Sequence, residues 1–343
     1  MSRLSFLDDY SEGCHPRVLE VLAQGNLAVQ PGYGADGHSE RARTLLRALM
    51  AQPDAEVHFV SGGTQANLLV IASSLRPHEA VIAAASGHIA HHEAGAIEAT
   101  GHKVIAMPSP DGKLRPADIE AALHEHALAP HVVRPRMVYV SNATEYGTVY
   151  RAGELEALSA CCRAHGLWLF LDGARLPAAL ASPSNDLTLV QLAALVDVFY
   201  LGGTKNGALL GEAVVVLAPA LRDGFATVAK QRGALLAKGR VLGAQFEALL
   251  ADGLFLQLAA HANAQARAIA AGLEARGIPL LAPVETNQVF PVLPRARIEA
   301  LRAHVAFHDW QGVDDAHAAI RFVASWATQD AAIAALLQAV DAA

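Results

Sequence analysis

Two kinds of segment alternate along the chain up to about residue 220, and they differ in the spacing of their apolar positions. Short apolar runs bounded by glycine or polar residues predict buried strands, at 56–60, 80–84, 104–107, 137–141, 167–171, 198–201 and 212–217. Segments with apolar residues at helical spacing separate them, at 39–50, 65–74, 115–126, 154–165 and 187–195. This alternation predicts an α/β protein with a mostly parallel sheet and helices on both faces.

The pattern changes after about Leu221, where long helical stretches rich in alanine and leucine begin. Shorter apolar segments and two further helices follow, at 280–282, 288–293, 295–304, 319–325 and 330–342. This part of the chain therefore predicts a smaller C-terminal α+β domain. The resulting division is an N-terminal arm rich in Gly, Pro, Asn and Asp, a large domain and a small domain, at 1–38, 39–240 and 241–343.

Composition narrows the class of protein. Of the 343 residues, 53% are hydrophobic and 17% are charged, which favours a large buried core and further burial in an oligomer. The net charge is −7 without a run of Lys or Arg, so nucleic acid is not an expected partner. Three cysteines, two of them adjacent, favour a reducing cytoplasm. We find no signal peptide and expect no membrane-spanning run.

Lys205 stands just beyond the carboxyl end of a predicted strand. The strand 198–201 ends at Gly202 and Gly203, and Thr204 and Lys205 follow. Ligands in α/β proteins bind outside the carboxyl ends of the strands. A partly desolvated amine at that edge has a lowered pKa, so it can attack a carbonyl carbon and form a Schiff base.

A carboxylate occupies the same position after the preceding strand, in Asp172-Gly-Ala-Arg175. Pyridoxal 5'-phosphate requires a Schiff-base lysine and a carboxylate beside its pyridine nitrogen, and two neighbouring strand ends would supply both. The alternative is a surface Lys205 and an Asp172 that caps a helix. We favour the cofactor because both residues follow apolar strands.

A possible phosphate site follows the strand 56–60. Gly62, Gly63 and Thr64 form a turn between this strand and an apolar helix. Such a turn presents backbone N–H groups to a phosphate, although most turns of this composition have no such role. The prediction gains weight from the lysine and the carboxylate.

Taken together, these motifs resemble the low-specificity L-threonine aldolase family, fold-type I pyridoxal-phosphate enzymes of the β-eliminating lyase group. The resemblance covers nearly the whole chain, and its most specific parts are Asp172-Gly-Ala-Arg175, Gly202-Gly-Thr-Lys205-Asn-Gly207, Gly63-Thr64 and Gly87-His88-Ile with Glu93-Ala-Gly95. It implies a fold-type I enzyme that cleaves β-hydroxy-α-amino acids to glycine and an aldehyde.

The resemblance also implies roles for individual residues. Lys205 would hold the cofactor, Asp172 would pair with its pyridine nitrogen and His88 would stack on its ring. The phosphate would be held by the glycine turn with Thr204 nearby. The substrate carboxylate would bind Arg175 and Arg321, since the planar guanidinium matches a carboxylate with two hydrogen bonds.

The substrate half of the site departs from the family. A serine that usually contacts the carboxylate is replaced by Leu7, unless Ser11 takes over its function. A histidine that contacts the substrate hydroxyl is replaced by Thr144-Glu145, and a common tyrosine is replaced by His92. The resemblance further implies a dimer of dimers, in which Tyr33 reaches a neighbouring subunit's site.

Several groups could accept the proton of the substrate hydroxyl. His88, His91 and His92 are candidates, as is a water held by Glu93 or Glu145. The same histidines and Glu93 could instead hold a metal, but we expect none.

Three other functions compete with aldol cleavage. A pyridoxal-phosphate β-eliminase or aminotransferase acting on another small amino acid would need the same lysine and carboxylate. A binding protein with an inactive site on this fold would not need them. A nucleotide-binding Rossmann protein is disfavoured because G-x-G-x-x-G does not follow the first strand.

Overall fold

The structure of the protein, a computed structural model, describes residues 3–343. In chain order, the strands are β1 (Leu4–Ser5), β2 (Glu56–Val60), β3 (Glu79–Ala84), β4 (Val104–Met107), β5 (Arg134–Ser141), β6 (Trp168–Asp172), β7 (Val198–Gly202), β8 (Glu212–Val216), β9 (Gln288–Val289), β10 (Val292–Pro294), β11 (Val305–Ala306), β12 (His308–Gly312) and β13 (His317–Val323).

The helices in the same order are α1 (Pro16–Gln24), α2 (Gly37–Met50), α3 (Gly63–Ser74), α4 (His88–His91), α5 (Pro116–Glu125), α6 (Ala152–His165), α7 (Leu176–Leu180), α8 (Leu189–Leu195), α9 (Phe225–Gln231), α10 (Arg240–Leu250), α11 (Leu254–Glu274), α12 (Arg295–Arg302) and α13 (Asp330–Ala342).

A seven-stranded sheet forms the centre of the fold, in the order β2-β8-β7-β6-β5-β3-β4. The strands from β7 to β4 are parallel, and β8 is antiparallel to both of its neighbours. The first residue of β8 therefore lies at the edge where the other strands end. The predicted mostly parallel α/β architecture is confirmed.

Apolar side chains bury both faces of this sheet. Leu171 and Phe199 belong to the apolar core on one face, and the adjacent residues Phe170 and Tyr200 belong to the core on the other. Successive side chains of a strand point to opposite faces, so continuous apolar strands are what a sheet covered by helices on both sides requires.

The C-terminal part forms a smaller antiparallel sheet of β10, β13 and β12, with β9 also paired to β13. It packs on an apolar core that extends from Ala266 to the C-terminus, whereas residues up to Leu258 belong to a core of the large sheet. The division at residue 240 stays a prediction.

The N-terminal arm contains regular elements that the sequence pattern did not predict. Strand β1 pairs in parallel with β11 of the small sheet, and Phe6 joins the same core. Helix α1 starts after His15, whose side chain accepts a hydrogen bond from the backbone N–H of Arg17, and packs against α10. The arm is thereby attached to both parts of the protein.

One stretch, Arg240–Glu274, is long and apolar enough to cross a membrane by length and composition alone. Most of it is buried inside the protein, and the left-handed backbone of Asp252 interrupts it. Core helices of soluble proteins have the same composition, so the stretch is weak support for a membrane span.

Candidate active site

The carboxyl ends of five strands meet at one edge of the large sheet and surround a cavity of about 820 Å³. Strands β2, β3, β5, β6 and β7 each end just before a polar group that was predicted from the sequence. The groups from these strand ends that line the cavity include Gly62, Gly63, Thr64, His88, Glu145, Asp172 and Lys205.

Close packing of the chain segments after β6 and β7 joins Asp172 to Lys205. Gly173 passes so near β7 that an added Cβ would lie 1.7 Å from the carbonyl oxygen of Tyr200, and one at Gly202 would lie 2.3 Å from that of Ala174. Neither position tolerates a side chain. The two glycines of the sequence motifs therefore bring the carboxylate and the amine to one cavity.

Lys205 is a half-buried amine on the cavity wall. Burial, together with the Arg175 cation, lowers the pKa of Lys205, although the carboxylates of Asp9 and Asp172 act in the opposite direction. Its Nζ atom lies 6.0 Å from the centroid of the Tyr10 ring. A lowered pKa provides more of the unprotonated amine, which is the nucleophilic form.

Asp172 accepts hydrogen bonds from four donors. The hydroxyls of Tyr139 and Tyr200 donate to different oxygens of the carboxylate, the backbone N–H of Ala174 donates at 3.0 Å and Nδ2 of Asn67 donates at 3.2 Å. Burial and the nearby Asp172 charge raise the pKa of both tyrosines well above the usual range, so both remain donors. These donors fix the carboxylate and stabilise its negative charge.

His88 is held by a buried carboxylate behind it. Its Nδ1 lies 2.9 Å from Oε1 of Glu93, which also accepts a hydrogen bond from Nδ2 of Asn67 at 2.7 Å. The carboxylate acceptor favours the proton on Nδ1, leaving Nε2 as an acceptor. Asn67 thus links the histidine to Asp172.

Glu145 has one oxygen engaged and one without a partner. Oε1 accepts from the hydroxyl of Ser141 at 2.8 Å and from the backbone N–H of His88 at 3.0 Å. Oε2 is buried and has no hydrogen-bond partner among residues 3–343. Burial, with the charge of Asp172 adding to it, raises the pKa of Glu145. Glu145 thus lines the cavity with a carboxylate of which one oxygen has no hydrogen bond among the described residues.

The glycine turn before α3 adjoins a second cavity region of about 390 Å³, lined by Ser61–Gln65, Leu68 and Arg232. The first N–H groups of a helix have no partner within it, so they and the Arg232 cation suit an anion. Thr204 is already engaged, since its Oγ1 accepts the N–H of Gly211 at 2.9 Å. Arg232 was not predicted from the sequence.

Arg175 is bound on one side by Asp9. Its Nε and Nη2 donate to the two carboxylate oxygens at 2.7 and 3.1 Å, and Nδ2 of Asn287 donates to Asp9 at 2.9 Å. Burial alone would raise the pKa of Asp9, but the Arg175 and Lys205 cations hold it below its usual value. Arg175 lines the cavity with an already compensated charge.

Arg321 is a half-buried cation with no carboxylate within 4.0 Å among the described residues. Its Nη1 donates to Oε1 of Gln288 at a long 3.4 Å, its Nε has no partner in the same part of the chain, and its guanidinium lies 5.5 Å from the Trp310 ring centroid. Burial, followed by repulsion from Arg175, lowers its pKa to about 10, although the carboxylates of Asp9 and Asp8 act in the opposite direction. Among residues 3–343, the cation therefore has no anion in direct contact.

The strand β12, absent from the sequence-based prediction, completes the cavity with His308, Trp310 and Gln311. The Trp310 ring contacts Tyr146 edge to face at a centroid distance of 5.4 Å. His92 also lines this side, and burial together with the neighbouring His88 lowers its pKa. The substrate side of the cavity thus combines a neutral imidazole with aromatic walls.

Three predicted residues do not line this cavity. Ser11 is exposed, and Leu7 is half-buried outside the cavity; Asp9 and Tyr10 between them turn toward Arg175 and Lys205 instead. Tyr33 lies in a separate cavity, where Nζ of Lys230 is 4.4 Å from its ring centroid. From the sequence, Leu7 replaces the family's serine unless Ser11 takes over its function. Neither residue lines the cavity.

Among residues 3–343, the metal-type side chains that lie close enough to share an ion are Glu120, Cys161 and His165. This group joins α5 to α6 and contributes nothing to the cavity lining. It does not include the histidines around His88 that were considered as an alternative metal site.

Comparison with known families shows to which class of protein this chain belongs. The chain matches the β-eliminating lyase family over residues 23–295. The chain belongs to the β-eliminating lyase family. Its predicted family and its predicted cofactor are confirmed, since these are pyridoxal-phosphate-dependent fold-type I enzymes.

Individual relatives narrow the position within the β-eliminating lyase family. The chain is 38% identical to a low-specificity L-threonine aldolase of Pseudomonas aeruginosa over 94% of its own length and 92% of that protein. It is 37% identical to an enzyme of the same name from a Pseudomonas species, over 95% and 93%.

Solved structures show the same relationship. A threonine aldolase of Leishmania major superposes with a TM-score of 0.96 at 50% identity, covering 98% of each chain. An aspartate aminotransferase of Thermus thermophilus superposes with a TM-score of 0.73 at 20% identity over 98% of this chain and 90% of its own, which shows a shared fold alone.

The residues of this β-eliminating lyase fit the cofactor. Lys205 is a half-buried amine with a lowered pKa, the Asp172 carboxylate is fixed by four donors, and the turn at Gly63 with Arg232 offers N–H groups and a cation to a phosphate. These three features lie on connected parts of one cavity wall.

Proposed function

We propose that the protein cleaves β-hydroxy-α-amino acids of the threonine type to glycine and an aldehyde. The observation that supports this most directly is that Lys205, Arg321 and Glu145 line one cavity. Among residues 3–343, Arg321 has no carboxylate within 4.0 Å and Oε2 of Glu145 has no hydrogen-bond partner. These groups match an aldehyde-bearing cofactor, a substrate carboxylate and a substrate hydroxyl. The names of the Pseudomonas and Leishmania relatives support the same reaction.

The residues that would hold the cofactor are Lys205, Asp172, His88, the N-terminal turn of α3 and Arg232. When bound, pyridoxal phosphate supplies an acceptor for the electron pair of the broken Cα–Cβ bond. Asp172 would keep a positive charge on the pyridine nitrogen, and its four donors keep the carboxylate in place. The half-exposed ring of His88 would cover one face of the cavity.

Arg321 and Arg175 would bind the substrate carboxylate. Arg321 has an Nε–H without a partner and no carboxylate within 4.0 Å among residues 3–343, so it would contribute most of the electrostatic attraction. Arg175 is oriented by Asp9 and retains Nη1 as a donor without a bond to a side chain among the described residues. The carboxylate would then lie between the small sheet and the large sheet.

Glu145 would accept the proton of the substrate hydroxyl. Its raised pKa brings a carboxylate closer to the operating pH, where a general base is most effective. His88, with Nε2 free, and the neutral His92 are the other proton acceptors on this wall. Ser141 and the N–H of His88 form hydrogen bonds to Oε1, so Oε2 is the oxygen that would accept the proton.

We also propose that the enzyme works as a homo-oligomer, a dimer of dimers, in the cytoplasm. The loop after α1 exposes Leu27 and Val29 almost completely, which is unusual for neighbouring apolar residues. Tyr33 in the following segment would then contact a neighbouring subunit. The cysteines are free, as expected in a reducing compartment.

Product analysis on a substrate panel tests the reaction. Purified enzyme with bound pyridoxal phosphate is incubated with threonine, allo-threonine, phenylserine, serine and alanine, and glycine, aldehyde, ammonia and keto acid are quantified. Aldol cleavage predicts equal amounts of glycine and aldehyde from the first three. Ammonia with a keto acid would indicate elimination, and a keto acid formed only with an amino acceptor would indicate transamination.

A further inference from the structure

Glu212 is a buried carboxyl group at the active-site edge that the reaction described above does not use. It is the first residue of β8, the antiparallel strand, so it starts where β2 and β7 end. Its side chain lines the cavity although the residue is only 4% exposed. No sequence motif pointed to it.

The side chain of Glu212 is held by the turn that bears Lys205. The backbone N–H of Gly203 donates to its Oε2 at 3.0 Å, and the neighbouring Thr204 acts to lower the pKa of the same carboxyl group. Among residues 3–343, no side-chain cation lies within 4.0 Å of it. A carboxylate buried without a cation is costly, so a purely structural acceptor here would be better served by an amide.

Burial and the neighbouring turn act in opposite directions on the ionisation of Glu212. Burial raises the pKa of Glu212 to about 8, while Thr204, the N–H of Gly203 and Lys205 act to lower it. Five titratable or charged groups surround Lys205 and Glu212. They are Asp9 and Tyr10 of the N-terminal arm, Asp172 at the end of β6, Arg175 just after β6, and Tyr200 of β7. The raised pKa brings the ionisation of Glu212 closer to neutral pH than that of an ordinary carboxyl group.

We propose that Glu212 is a positioning residue for Lys205, which fixes the Gly203–Lys205 turn and controls how tightly the Lys205 nitrogen holds its proton. This proposal rests on the proposed role of Lys205 as the cofactor lysine. When Glu212 is ionised, its charge stabilises a protonated Lys205 nitrogen; when Glu212 is protonated, that stabilisation is absent. The pair then titrates as one unit, with two macroscopic steps.

The test uses the enzyme with its cofactor bound and follows the visible absorption spectrum as a function of pH. The spectrum reports the proton on the nitrogen that joins Lys205 to the cofactor, independently of any substrate. Glu212→Gln keeps an oxygen that can accept the Gly203 N–H but cannot ionise. Because a neighbouring anion is lost, its titration midpoint is expected to fall by about one pH unit. Glu212→Asp, which retains the charge, is expected to stay closer to the wild type.

An unchanged midpoint in a folded Glu212→Gln variant would overturn the proposal and leave Glu212 as a partner of the turn alone. Should Glu212→Gln fail to fold, difference infrared spectra of the wild type replace it. As pH rises, the carbonyl band of a protonated carboxyl group should disappear together with the visible change. The same loss should be seen in Glu145→Gln, because this variant removes the other glutamate of the cavity wall and leaves Glu212. Absence of that band would equally refute the proposal. A protein without any cofactor absorption would instead contradict the proposed function.

Discussion

Replacing Arg321 with alanine removes a half-buried cation that has no carboxylate partner among residues 3–343. With a pKa of about 10, the guanidinium is charged at neutral pH and can bind an anion. A hydrogen bond to a charged group contributes about 1.5–3 kcal/mol, which corresponds to a loss of about tenfold to hundredfold in affinity. We expect this loss mainly in KM, because the substrate carboxylate is bound in the ground state as well as in the transition state.

The assay is the initial rate of aldehyde formation against substrate concentration for wild type, Arg321→Ala and Arg321→Lys. The lysine variant keeps a charge but loses the planar fork, so an intermediate KM is expected. Thermal unfolding serves as the control: since no buried carboxylate loses a partner, the alanine variant should unfold near the wild-type Tm. A normal KM in Arg321→Ala would show that this arginine does not bind the carboxylate and that the small sheet plays no part in recognition.

Three further predictions follow from the same contacts. Arg175→Ala leaves Asp9 buried without its cation and should cost about 3–5 kcal/mol in the free energy of unfolding, measured by urea denaturation; adding Asp9→Asn should recover part of it, and a fully stable single variant would contradict the ion pair. Glu145→Gln should remove the acidic limb of the pH–kcat profile, because the wild-type base becomes active as pH rises through its raised pKa; an unchanged profile would exclude Glu145 as the base. Phenylserine should be cleaved more efficiently than threonine because Trp310 and Tyr146 form an aromatic wall, and Trp310→Ala should reduce that preference; equal kcat/KM values in the wild type would refute it.

The order of strands and helices in the large sheet followed from the sequence because each element there has its own apolar pattern. Lys205, Asp172 and His88 could be predicted for the same reason: they stand directly after apolar strands, and strand ends converge in a parallel sheet. Their positions depend on the local apolar pattern and on the rule that ligands bind at the carboxyl ends of parallel strands. All three residues line the cavity at that edge of the sheet.

Other parts of the site depend on contacts that no local pattern encodes. Strand β12 has half-exposed, polar residues and so lacks a strand pattern, yet it brings Trp310 to the cavity. Asp9 precedes Arg175 by 166 residues, and only the pairing of β1 with β11 brings the arm to this place. Glu212 could be located only once β8 was known to be antiparallel.

Borohydride reduction of the enzyme with bound cofactor, followed by peptide mapping, tests the central claim most directly. The account predicts one modified peptide containing Lys205, with loss of glycine and aldehyde formation in proportion to the modified fraction. Modification at Lys230 or Lys238, or cleavage activity that survives complete modification of Lys205, would contradict it.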